Sequence, residues 1–453
     1  MDNEEIIGNV ITEGSIWKAV WILALPTVLG LLVEDLFNFT DMYFVGFLGP
    51  EAISAVSIGG IITTFIISGA GGLSAGTLAL VARAVGEGNA KKADHVAMQS
   101  VIFGIMLALA IGIPCFFLSE QIMGIFEVEP AVLEEGAGYL EVIFLGSASI
   151  FLTAFMSAAL RGAGDATTPM IGLGIGAIVN IFLDPIFIHG YFGFPALGVV
   201  GSALATVITR VIAVLIMLYA ILGHKTVLSL KKSHFTPRAE TIKSISRVGS
   251  PSALSGILIP LSMVLMMSLV ARYETPIEAA YGVATRLNSL VTLPAMGFGF
   301  AAGVIIGQSL GAEKYERAMH GGYLTLGLSV LISLPIAFIF YACPNELFEI
   351  FTADVATIEA GIIIMQVRYL SMPYLAIGNC LTQAINGSGD TLHPLIFTVL
   401  ALVVFRIGIA FPLVDVYDEI GVWMALSLSN FLMGSLDFSW FVSGRWRHTK
   451  VAV

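Results

Sequence analysis

Long apolar runs broken by short charged or Gly/Pro-rich segments account for nearly the whole chain. They fall near 16–44, 53–82, 96–118, 136–160, 168–189, 198–222, 249–272, 278–309, 320–343, 358–385, 394–414 and 420–443. A helix needs about 20 apolar residues to cross a bilayer, and runs of this length without a polar face read as membrane spans. Twelve of them leave no length for a soluble domain. The predicted class is an all-α polytopic membrane protein with twelve transmembrane helices.

Composition agrees. Of 453 residues, 57% are hydrophobic and 12% charged, against about 25% charged in soluble domains, and the mean hydropathy is +0.92. A soluble enzyme on one anchor is excluded. The net charge is −11 and no basic stripe with interleaved aromatics occurs, so nucleic acid is not an expected partner. Cys115, Cys343 and Cys380 fit neither a disulfide framework nor a metal site. The acidic start, MDNEE, lacks the positive segment of a cleaved signal, so the first span is expected to stay. With even-numbered spans ending inside, sixteen of the 21 Lys and Arg fall on the inner side, among them Lys91, Lys92, Lys231, Lys232, Arg445 and Arg447. That asymmetry predicts both termini in the cytoplasm and residence in the cell (inner or plasma) membrane.

The chain repeats itself at one offset. Pro26 and Pro251, Gly86 and Gly311, and the segments RGAGD at 161–165 and NGSGD at 386–390 are all 225 residues apart. One offset held over so many spans predicts duplication. Six spans per half is an even number, so the halves insert in parallel and form two six-helix lobes. The expected division is an N-lobe at 1–222, a cytoplasmic linker at 223–248 and a C-lobe at 249–453. Two lobes around a central cavity suit alternating access.

The halves differ where it matters chemically. Span 1 carries Glu34, Asn38 and Asp41 on one face, with Asp35 to the side, and span 5 carries Asn180 and Asp184 one turn apart. The offset positions Ile259, Met263, Met266, Phe405 and Ile409 are all apolar. A carboxylate in a membrane helix costs roughly 2.5–3.5 kcal/mol on insertion scales, so unshared acids are candidates for function. Two acids in a confined site favour taking up a proton; with an amide and a hydroxyl they suit a hard cation such as Na+ equally well. Pro26 removes a helix hydrogen bond and offers span 1 a place to bend. Gly172 and Gly176, and Gly299, Gly303 and Gly307, have the small-xxx-small spacing of close helix packing. Arg286, Arg368 and Arg406 give the second half a basic character.

Enzyme chemistry is not expected. Gly72-Leu73-Ser74-Ala75-Gly76 matches G-x-S-x-G by letter, but in a Gly/Ala-rich helical run rather than on a strand-to-helix turn. No HExxH pair occurs. Acids in one lobe only argue against a symmetric pore.

The segments DMYFVGFLGP from Asp41, RGAGDATTP from Arg161, NIFLDPIFI from Asn180 and GVW from Gly421 resemble those of the multidrug and toxic compound extrusion (MATE) family. Acids confined to spans 1 and 5 look like its DNA-damage-inducible and archaeal branch. The resemblance implies that Asp41, Asn180, Asp184 and a span-6 hydroxyl, here Ser202, surround the coupling-ion site. It further implies a lobe tyrosine at Tyr139 and a cavity contact at Phe37, where a Tyr would be expected. It implies export of drugs or toxic organic cations in exchange for H+ or Na+, by a monomer in the lipid bilayer with no cofactor. Pro26, Glu34, Phe37, Asn38 and Tyr139 are then expected to line the substrate cavity or gate it. A flippase for a lipid-linked anionic precursor is the alternative, kept open by the basic second half.

Overall fold

The computed structural model describes residues 11–223, 226–229, 236–449 and 451. In the first half run α1 (Ile16–Val45), α2 (Pro50–Gly86), α3 (Ala90–Phe117), α4 (Pro130–Leu145), α5 (Ser147–Gly162), α6 (Thr167–His189) and α7 (Val199–Leu222). In the second run α8 (Ala239–Val270), α9 (Thr275–Gly311), α10 (Tyr315–Ala342), α11 (Val355–Arg368), α12 (Met372–Ser388), α13 (Leu392–Thr398), α14 (Arg406–Tyr417) and α15 (Glu419–Ser443). The first lobe's α4 and α5 form one span, bent by 48°. The bend follows Val207 of α7, which lies where a Cβ on Gly146 would sit. A short 3-10 turn joins α11 to α12, and a π-helical stretch, Val399–Phe405, joins α13 to α14. Between α1 and α2 the chain turns at Gly49, whose φ of 120° favours glycine, and Pro50 opens α2.

Among the described residues, ten helices are long and apolar enough to span a membrane, and the bent pair makes eleven. The twelfth expected span is α15. Its 25 residues reach about 37 Å, beyond the roughly 30 Å hydrocarbon core, but Ser427, Ser429, Asn430 and Asp437 lower its hydropathy. These polar groups are buried against the lobe.

The duplication extends to helix ends. The bounds of α2 and α9, of α3 and α10, and of two short helices that the apolar pattern did not reveal, Ser119–Gly124 and Pro344–Glu349, repeat at 225 residues. One departure is at the entry to the second half: α8 begins at Ala239, inside the segment read as linker.

The lobes meet on the side of the bundle that carries the described chain ends. There α2 lies on α8 and α1 on α9, at glycine separation. A Cβ on Gly76 would stand 2.3 Å from Ile245 O, one on Gly249 2.2 Å from Leu73 O, and one on Gly311 2.2 Å from Arg83 O. Gln308 Nε2 donates to Gly162 O at 2.9 Å across the same contact. A hydrophobic cluster drawn from both lobes, including Leu23, Leu78, Phe298 and Ile305, fills this end. Toward the other end the cores separate, one holding Tyr139 and Leu140, the other Tyr281 and Trp423. The bundle is therefore closed at the terminal side and divided beyond it.

Candidate functional site

The site is built where α6 packs against both α1 and α7. Gly172 and Gly176 allow this: a Cβ on each would meet Ala213 O at 3.1 Å and Thr209 O at 3.0 Å. The spacing that predicted close packing does place α6 on α7. Gly299, Gly303 and Gly307 likewise seat α9 on α12, facing the carbonyls of Cys380, Gln383 and Gly387.

Held this close, Asp41 of α1, Asn180 and Asp184 of α6 and Ser202 of α7 converge in the part of the lobe away from the termini. Asn180, Asp184 and Ser202 have no solvent exposure and Asp41 has 8%. Ser202 Oγ donates to Asp41 Oδ1 at 2.8 Å, and Asn180 Nδ2 donates to Asp184 Oδ1 at 2.9 Å. The two carboxyl groups lie within electrostatic range of each other. Like charges so placed repel in a dry site, and a proton or a cation is what would relieve them.

Two acceptors support that requirement. Asn180 Oδ1 and Asp184 Oδ2 are buried with no hydrogen-bond partner, and each unmet buried acceptor costs about 1–3 kcal/mol. Two carboxylates, an amide oxygen and a hydroxyl form a hard oxygen donor set, which suits a proton or Na+ better than a soft metal. Among the described residues, no group of three or more His, Cys, Asp or Glu side chains is placed to hold a metal ion.

Tyr139 of α4 closes the site from another side. It is buried, lies near Thr63 of α2, and is within electrostatic range of Asp41, Asp184 and Arg210. Its ring occupies the place a Cβ on Gly59 would take, 2.6 Å away. Glu34 stands apart from the carboxyl pair and forms an ion pair with Arg210 NH2 at 3.3 Å. Glu34, Phe37, Thr209 and Arg210 line a cavity of about 310 Å³ between α1, α6 and α7. Pro26 sits half-buried inside an uninterrupted α1, two residues before Val28, which packs on Gly297 of α9. The side chain of Asn38 lies outside the described residues.

Three contributors escaped the sequence reading: Gly59, Thr63 and Arg210. Arg210 had a signal, because Ser202, Thr206 and Arg210 make a polar stripe at four-residue spacing along an apolar span. Gly59 and Thr63 had none, since their role depends on a ring from another helix.

A family model described as MatE matches residues 26–186 and 251–411, two segments offset by the same 225 residues. The chain is 30% identical over 438 residues to the probable multidrug resistance protein NorM of Thermotoga maritima, covering 95% of this chain and 93% of that protein. It is 25% identical over 417 residues to a protein of Shewanella oneidensis named FAD transporter, covering 91% of each. Among solved structures, an outward-facing multidrug resistance MATE family transporter superimposes with a TM-score of 0.90 at 26% identity, covering 98% of this chain and 99% of that one.

Proposed function

The chain belongs to the MatE family of membrane transporters, and from that premise we propose that it is a secondary antiporter that exports amphipathic, often cationic, small molecules in exchange for H+ or Na+. Asp41, Asp184, Asn180 and Ser202 bind the driving ion. The observation that carries this reading is a pair of buried carboxyl groups within electrostatic range of each other, with two unpartnered buried acceptors, Asn180 Oδ1 and Asp184 Oδ2, among them.

The bias of Lys and Arg puts the terminal side in the cytoplasm of a cell with the protein in its inner or plasma membrane. The closed end of the bundle is then the inner gate, and the divided end opens outward. Residues 1–222 and 249–453 move as lobes about the segment 223–248, and the unit is a monomer. Ion entry from outside cancels charge between α1 and α6, bends α1 at Pro26 and changes which lobe packing is preferred. Phe37 and Glu34, which line the cavity between α1, α6 and α7, face the substrate path. Flipping of a lipid-linked anionic precursor fits less well, because Arg406 lies inside the C-lobe and donates to Ser429, Ser262 and Asn430 rather than lining an open cavity.

The test is uptake of a fluorescent organic cation into inside-out proteoliposomes, under a pH gradient and then a sodium gradient. Uptake driven by one gradient names the ion. Asp41→Asn and Asp184→Asn should each lower gradient-driven uptake by about 10-fold or more, the scale of losing a charged hydrogen-bond partner. Parent-like uptake by both variants would overturn the assignment.

A further inference from the structure

The C-lobe buries two arginines where the N-lobe buries none at the offset positions: the counterparts of Arg368 and Arg406 are Ile143 and Ile181, and Arg406 follows Phe405, the counterpart of Asn180. Both Arg368 and Arg406 are only 5% exposed, and they lie within electrostatic range of each other and of Tyr281. Arg406 follows directly on the π-helical stretch Val399–Phe405, and such distortions of a helix are frequent at functional sites. Arg368 ends α11, where the span breaks into a 3-10 turn.

Neither guanidinium has an acid partner. The four ion pairs among the described residues lie elsewhere. The two buried carboxyl groups of this half, Asp390 and Asp437, accept from Trp440 and Thr382 instead. Arg406 donates to neutral groups only: Nε to Ser429 Oγ at 2.7 Å, NH1 to Ser262 Oγ at 3.3 Å and NH2 to Asn430 Oδ1 at 3.1 Å. Arg368 is less provided for, since its Nε and NH1 are buried with no acceptor.

Arginine does not relieve this by losing its proton. Two fixed positive charges in a low-dielectric interior repel, and an unpaired buried charge costs several kcal/mol. The surroundings are Ser, Asn and Tyr, which solvate but do not neutralise. We infer that Arg368 and Arg406 together bind a compact anion inside the C-lobe, a halide ion or the carboxylate group of an organic acid. The unpartnered Nε and NH1 of Arg368 are the free donors available to hold it, while Arg406 is held as the second charge by its three neutral partners. The lobes would then carry complementary sites, one for a cation and one for an anion. This site is independent of whether Asp41 and Asp184 couple transport.

The test uses the full-length protein purified in detergent, at fixed pH and ionic strength, with its thermal unfolding followed in chloride, bromide, acetate or gluconate. Gluconate is the reference, being bulky for so enclosed a site. The midpoint should rise by roughly a few degrees in a saturable manner in halide, in acetate or in both, as linkage requires for a ligand of the folded state. Arg368→Gln should abolish that rise. A response to halide alone identifies a free inorganic ion, and a response to acetate identifies carboxylate recognition. Crystals of the parent protein in bromide provide a readout that does not depend on any variant folding, with an anomalous peak expected between the two guanidinium groups. Equal midpoints in all four salts with no such peak would overturn the inference, as would a halide response that persists unchanged in Arg368→Gln.

Discussion

At the scale of single residues, the carboxyl pair is organised by neutral neighbours. Ser202 donates to Asp41 at 2.8 Å, and a hydrogen bond to a charged group contributes about 1.5–3 kcal/mol. Ser202→Ala should therefore weaken apparent affinity for the coupling ion by about 10-fold or more, and Ser202→Thr should restore most of it. Transport rate against ion concentration checks both. Gly59→Ala would press on the ring of Tyr139, since a Cβ there stands 2.6 Å from it. Forcing the packed ring aside costs roughly 1–3 kcal/mol, read as a lower unfolding midpoint and reduced transport. Asp41, Asn180 and Asp184 were legible because the second half of the chain serves as an internal control: the same spans carry Met266, Phe405 and Ile409 instead. Ser202 and Tyr139 were reached only through family resemblance. Gly59 and Thr63 were not legible, because a glycine and a threonine in an apolar run are ordinary until a ring from another helix lands on them.

At the scale of helices, small residues decide which spans touch. Gly249 of α8 lies with its Cα hydrogens where a larger group would strike Leu73 O, 2.2 Å from a Cβ. Backbone cannot yield as a flexible side chain can, so Gly249→Val should part α8 from α2. The expected readout is faster thiol labelling of a cysteine placed at Ser74, which lines a cavity of about 270 Å³ between the lobes, in a chain lacking Cys115 and Cys343. Unchanged labelling would mean that α2 and α8 accommodate the methyl groups elsewhere. Apolar run length located all the spans, yet it did not show that α4 and α5 bend by 48°. At the bend Val207 of α7 fills the space a Cβ on Gly146 would take, a contact between residues far apart in the chain.

At the scale of the molecule, closure at one end and division at the other is the geometry of a carrier caught open to one side. If transport needs the lobes to part at the terminal side, fastening them there should stop it. Ala82 and Gly307 face each other across that contact. Glu13 and Lys314 pair at 3.2 Å on this side without close packing, so Glu13→Cys combined with Lys314→Cys, joined by a short cleavable thiol cross-linker, should abolish substrate uptake, and cleaving the linker should restore it. Retained transport by the cross-linked form would require a mechanism in which this end never opens.

By itself the sequence determined the membrane class, the number of spans, the duplication and the acids that one half has and the other lacks. These are properties of composition and periodicity, and water, lipid and the cost of burying charge act on them locally. Only the tertiary structure decided that Asp41 and Asp184 are buried within electrostatic range of each other, that Glu34 turns instead to Arg210, and that Arg368 and Arg406 are buried without an acid partner. A side chain in a membrane helix has no solvent to satisfy it, so its partner is whatever group another helix brings within reach. That choice is made by packing distances of a few ångströms between segments that the sequence keeps far apart.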